Sequence, residues 1–128
     1  MLAMRGDSIA RGGMELARVR WANLVAPGTP EAVGEWVREV LCATHEKGLM
    51  RSARCSDRTD SLDHAPRVTA PALILVGSED RVNPPEVGRN LCGAIPGAVM
   101  EVQPGIGHLA KLEAPGATAA RLLRHLFG

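Results

Sequence analysis

The chain has 128 residues, 45% of them apolar, which suits one modest domain, is too short for two, and is not the composition of a disordered segment. With 15 basic and 14 acidic residues the net charge is +1, and no basic patch with interleaved aromatics marks a nucleic-acid footprint. Aromatic residues amount to 2% (Trp21, Trp36 and Phe127, with no Tyr), so any core is aliphatic.

Apolar runs fall far short of the ~20 residues that a membrane span needs. The opening MLAMRGDSIARGG lacks the apolar stretch of a signal peptide. Cys42, Cys55 and Cys92 are odd in number and no pair has metal-ligand spacing. They read as thiols in a reducing compartment. These features predict a soluble cytoplasmic protein with no membrane or nucleic-acid partner.

In chain order, the character changes near Pro66: helical in residues 1–66, strand–helix–strand–helix in 67–128. Met14, Ala17, Trp21, Leu24 and Val25 recur at helical spacing, ending at Ala26-Pro27-Gly28. Thr29-Pro30 is a start signal for a second helix, Thr29 as cap and Pro30 at the first helical position. Val33, Trp36, Val37, Val40 and Leu41 give it a clean apolar stripe. A third helix is expected from Glu46 to Cys55, then a polar connector from Arg54 to Arg67.

Ala72 to Val76 is continuously apolar between Pro71 and Gly77, the pattern of a strand covered on both faces. Asn83-Pro84-Pro85 caps a helix carrying Val87, Leu91 and Cys92. Ala98 to Val102 is a second strand. Strand, helix and strand at this spacing make a parallel β-α-β unit. A Gly-rich loop ending at His108 precedes a final amphipathic helix with Ala119, Leu122, Leu123, Leu126 and Phe127. The fold class is α/β.

Asp80 lies just past the first strand and His108 just past the second. Adjacent parallel strands present their carboxyl ends to one crevice. A carboxylate there can hold an imidazole by Nδ1–H and leave the other nitrogen as a general base. Alone, Asp80 reads as a turn residue and His108 as a solvated loop histidine; it is their joint placement that points to chemistry. Glu113 and Asp63 have no partner that the sequence identifies. His45, His64 and His125 lack metal spacing and read as surface residues. Gly105-Ile106-Gly107 lacks the third glycine of a dinucleotide fingerprint.

The run PALILVGSEDRVNPPEVGRNLCGAIPGAVMEVQPGIGHLAKLEAPGATAARLLRHLF resembles the C-terminal third of the α/β-hydrolase fold. The likeness lies in a strand ending G-x-x-D, a Pro-rich helix start, an IPGA turn, a short strand, PGxGH, and a helix after xLExP. The segment LVAPGTPEAVGEWVREVLCAT is similar to cap helices of the 3-oxoadipate enol-lactonase-like branch. The resemblance implies a partial α/β-hydrolase fold, cap helices followed by the last two strands. It implies Asp80 and His108 as acid and base of a triad, and an ester or lactone as substrate. It implies no metal and no organic cofactor.

The nucleophile elbow of that family, G-x-S-x-G between a strand and a helix, is missing. Gly6-Asp7-Ser8-Ile9-Ala10 has small residues around Ser8 but only MLAMR before it, where a buried strand belongs. The oxyanion loop is missing too. The elements that would supply both are expected upstream of Met1. The alternative reading is a catalytically inactive truncated or split hydrolase. An apolar strand with a single partner exposes an edge, which predicts self-association or pairing with a complementing chain.

Overall fold

The computed structural model describes residues 20–58 and 62–128. They fall into two compact units, one taking the residues up to Ala22 with Glu31–Asp60, the other Asn23–Pro30 with Ser61–Gly128. Ser8 and the helix proposed from Met14 lie outside the described residues, apart from the helical turn at 20–24.

In the first unit, α1 spans Glu31–Ala43 and α2 spans Glu46–Arg58. Pro30 precedes α1 and Glu31 stands in its first turn, where a carboxylate offsets the positive end of the helix dipole. Gly34 and Val37 form the buried stripe of α1, with Gly34 against the Trp21 ring. Trp36 and Val40, expected on that stripe, are 52% and 46% exposed, so the apolar arc is wider than the face that is covered. Helix α2 runs through Arg58, beyond the Cys55 limit read from the sequence. The expected polar connector is thereby shortened, and it closes in a 3-10 turn at Ala65–Arg67.

The second unit contains β1 (Leu73–Gly77), α3 (Pro85–Ala94), β2 (Val99–Gln103), a short α4 (Ala110–Glu113) and α5 (Pro115–Phe127). The strands pair in parallel, with Leu73 opposite Val99, Leu75 opposite Glu101 and Gly77 opposite Gln103. Successive side chains alternate between faces. Ile74, Val76 and Met100 meet Gly88 of α3 on one face. On the other, Gln103 meets Thr118, and Glu101 meets Arg121 and Arg124, all from α5. The sheet is thus covered by a helix on each face, as an apolar strand requires.

Several local expectations are corrected. Asn83 does not cap α3; Pro84 holds the cap position with no side-chain bond. Helix α5 starts at Pro115, at the end of the xLExP pattern as expected, but a short α4 precedes it. The apolar stripe of α5 is largely bare: Leu122, Leu123, Leu126 and Phe127 are all exposed. What α5 lays on β2 is its polar stripe. Arg124 bonds both Glu101 oxygens, at 3.1 and 3.2 Å. Arg121 Nε is 3.2 Å from Glu101 Oε2, an ion pair at an angle that makes no hydrogen bond.

Gln103 is fully buried and its amide nitrogen has no acceptor as placed. The Thr118 hydroxyl has one proton and two acceptors in reach, Ala110 O at 3.1 Å and Gln103 Oε1 at 3.3 Å. A half-turn of the amide lets Gln103 donate to Thr118 Oγ1 while Thr118 donates to Ala110 O. That chain ties β2 to α4 and α5. Among the described residues no third strand flanks the pair. No helix is long and apolar enough to cross a membrane.

Candidate active site

Strand β1 ends at Gly77, and a tight turn closed by Asp80 N–H to Gly77 O (3.2 Å) delivers Asp80. Its two oxygens have separate tasks. Oδ1 accepts from Val82 N–H and Asn83 N–H, both at 2.8 Å, fixing the turn that leads to α3. Oδ2 faces His108 Nδ1 at 2.9 Å. Asp80 is thus a turn residue through one oxygen and the partner of an imidazole through the other.

His108 arrives from the loop after β2, where its backbone N–H donates to Leu24 O at 3.1 Å. A carboxylate only accepts, so the Asp80 contact places the imidazole proton on Nδ1 and the lone pair on Nε2. The Asp80 side chain is 7% exposed and that of His108 29%, so the pair is sheltered on the acid side and accessible at the base.

The two loops are stitched together. Ser78 N–H donates to Gln103 O and Glu79 N–H to Ile106 O, each at 2.9 Å. Gly105 N–H donates to Ser78 Oγ at 2.8 Å. Two glycines permit this closeness. A Cβ on Gly77 would stand 2.1 Å from Ile106 O and 2.4 Å from Gly107 O. One on Gly107 would stand 2.6 Å from Ala26 N. No side chain fits at either place, so the acid and base loops touch backbone to backbone.

Glu113, which the sequence left without a partner, is the most heavily bonded side chain here. It accepts from Ala26 N–H (2.8 Å), the Thr29 hydroxyl (2.9 Å), Gly107 N–H (2.9 Å) and Leu109 N–H (3.1 Å). The Thr29 hydroxyl, expected to cap α1, gives its proton to this contact. The sequence signal for Glu113 was its place in the xLExP pattern, but its partners are mostly backbone donors, which leave no trace in residue identity.

The remaining candidates take no part in these contacts. His45 and His64 are exposed, and His125 is half-buried. His64 Nδ1 is 2.6 Å from an Arg67 guanidinium nitrogen. Asp63 is exposed. Among the described residues no cluster of His, Cys, Asp or Glu could hold a metal ion.

A parallel crossover with an Asp after one strand and a His after the next is part of the α/β-hydrolase fold, and this chain carries that part. It is similar over 98% of its length to the enol-lactonase from Burkholderia xenovorans, with a TM-score of 0.90 and 25% identity, covering 50% of that chain. A hydrolase from Pseudomonas aeruginosa matches with a TM-score of 0.86 and 28% identity, over 98% of this chain and 50% of that one. In sequence the chain is 30% identical over 95 residues to BpoC of Mycobacterium tuberculosis, a protein named as a non-heme bromoperoxidase. That match takes in 73% of this chain and 36% of BpoC. The chain spans about half the length of these solved structures and about a third of the curated relative. No protein-family model matches it.

Proposed function

We propose that this chain supplies the acid–base half of an ester or lactone hydrolase. Asp80 orients His108, and His108 Nε2 takes the proton of a nucleophile and later that of a water molecule. The carrying observation is the 2.9 Å contact between Asp80 Oδ2 and His108 Nδ1 at the carboxyl ends of paired parallel strands. The likeness to an enol-lactonase supports a carboxylic ester or lactone as the substrate class. Attack of an activated hydroxyl on the carbonyl gives an acyl-enzyme, which water then hydrolyses with the same histidine as base. The nucleophile comes from a complementing chain, on a strand–elbow–helix element.

The test is complementation. The chain is mixed with a hydrolase N-terminal half carrying a G-x-S-x-G elbow, and hydrolysis of p-nitrophenyl acetate is followed. Activity should appear on mixing and fall by about 10²–10⁴ in His108→Ala, the usual worth of general acid–base catalysis. Activity of the chain alone that is lost in Ser8→Ala overturns this reading in favour of an internal nucleophile.

A second reading is a non-catalytic chain that acts by association with a complementing partner. It is favoured by the unpaired edge of β1 among the described residues and by the bare apolar stripe of α5. Complex formation without turnover, in the same mixing experiment, is its signature.

A further inference from the structure

The backbone around His108 is held at three successive peptide groups. Gly107 N–H donates to Glu113 Oε2 at 2.9 Å, and Leu109 N–H donates to Glu113 Oε1 at 3.1 Å. Between them, His108 N–H donates to Leu24 O at 3.1 Å. The Glu113 carboxylate brackets the histidine, with one oxygen on the N–H of Gly107 and the other on the N–H of Leu109.

The same carboxylate also holds segment 23–30. Oε2 also accepts from Ala26 N–H and the Thr29 hydroxyl, at 2.8 and 2.9 Å. Segment 23–30, which supplies Leu24 O, is thereby tied to the loop it holds. An ionised carboxylate accepts at about four sites and donates nothing, and here four donors occupy it. Bonds from neutral donors to a charged acceptor are roughly twice as strong as neutral ones. Helix α4 brings Glu113 back under the loop, because Glu113 N–H donates to Leu109 O at 3.0 Å.

We propose that Glu113 is a positioning residue for His108. It touches neither the imidazole nor Asp80. It acts by holding the N–H groups of the residues on either side of His108, so that Nδ1 falls on Asp80 Oδ2. The inference rests on the Asp80–His108 pairing put forward above.

The charge state is essential to this role. In Glu113→Gln the carbonyl oxygen belongs where three donors converge, at the Oε2 position. The amide NH2 then faces Leu109 N–H, donor against donor. The substitution therefore frees one of the two peptides flanking His108 and leaves the rest of the cluster accepted.

The test is NMR on the full ¹⁵N-labelled chain, reading solvent exchange of His108 Nδ1–H, its ring-nitrogen tautomer shifts, and exchange of the Leu109 amide. Far-UV circular dichroism reports whether each variant is folded. In Glu113→Gln, the Leu109 amide and His108 Nδ1–H should exchange at least tenfold faster, while the amides of β1 keep their rates. Arg89→Ala removes an exposed ion pair with Glu86 that takes no part in the contacts of residues 107–109, and should leave both rates within twofold of the parent. If Glu113→Gln does not fold, Glu113→Asp, which keeps the charge on a stem one methylene shorter, carries the same comparison. A folded Glu113→Gln with parental His108 exchange and tautomer overturns the inference, as does an equal effect from Arg89→Ala. Asp80→Asn separates the two levels. Loss of the slow Nδ1–H there with no effect of Glu113→Gln overturns the positioning role alone, whereas an unchanged signal in Asp80→Asn overturns the pairing and the inference with it.

Discussion

Asp80 shows how one carboxylate can hold a turn and a histidine together. Its Oδ1 takes two backbone donors and its Oδ2 takes the imidazole. An amide cannot do both. In Asp80→Asn the oxygen stays with Val82 N–H and Asn83 N–H, and the NH2 turns toward His108 Nδ1, forcing the proton to Nε2. The complemented hydrolase should then lose about 10⁴ in kcat, as expected for the wrong tautomer, with little change in urea midpoint. Asp80→Ala removes both acceptors from the turn and should cost about 1–3 kcal/mol in urea denaturation. This pair was legible in the sequence because each residue follows a strand whose apolar run ends abruptly. Glu113 was not, since Ala26 and Thr29 lie 87 and 84 positions away, in a stretch that reads as a loop and a cap.

At the scale of elements, the junction between the β1 and β2 loops depends on what is left out. Gly77 stands where a methyl group would collide with two carbonyl oxygens of the His108 loop. Gly77→Ala should therefore destabilise by about 1–3 kcal/mol, the usual effect of overpacking, read from thermal or urea unfolding. The displaced loop should also weaken the His108 contact, so complemented activity falls further than stability alone explains. Strand and helix existence came readily from periodicity, because LILV and VMEV are short apolar runs bounded by Pro and Gly. Which face of a helix is covered did not. Helix α5 has a clear apolar stripe, yet Glu101 on β2 recruits Arg121 and Arg124 and turns the polar stripe inward. Periodicity reports that a helix has two faces; only the neighbour's side chains decide which is buried.

For the whole molecule, the sheet is the limiting element. Two parallel strands leave β1 without a second neighbour among the described residues, and Leu122, Leu123, Leu126 and Phe127 of α5 are exposed. Unpaired strand edges and contiguous apolar surface promote association. Sedimentation velocity should show concentration-dependent self-association that is reduced in the double variant Leu126→Lys, Phe127→Lys, whose sites are 67% and 82% exposed and so should leave folding intact. A monodisperse monomer across the concentration range contradicts this expectation. The sequence anticipated the edge, since one partner strand is all it offers to Ala72–Val76. It could not place segment 23–30 with the strands, because that grouping is made by hydrogen bonds to Glu113 and from His108.

Those bonds bear on how such a half-site can be inherited. Acid and base come from the two ends of a single crossover, so gene rearrangement outside residues 80–108 cannot separate them. The smallest block that travels intact is larger than the crossover, however. Leu24, Ala26 and Thr29 hold the histidine loop, so a recombination breakpoint near Pro66 would transfer the acid and the base but strip the loop of its brace. A breakpoint ahead of Asn23 would carry the brace along. Chimeras joined at these two points should differ in His108 geometry while sharing every residue from 67 to 128.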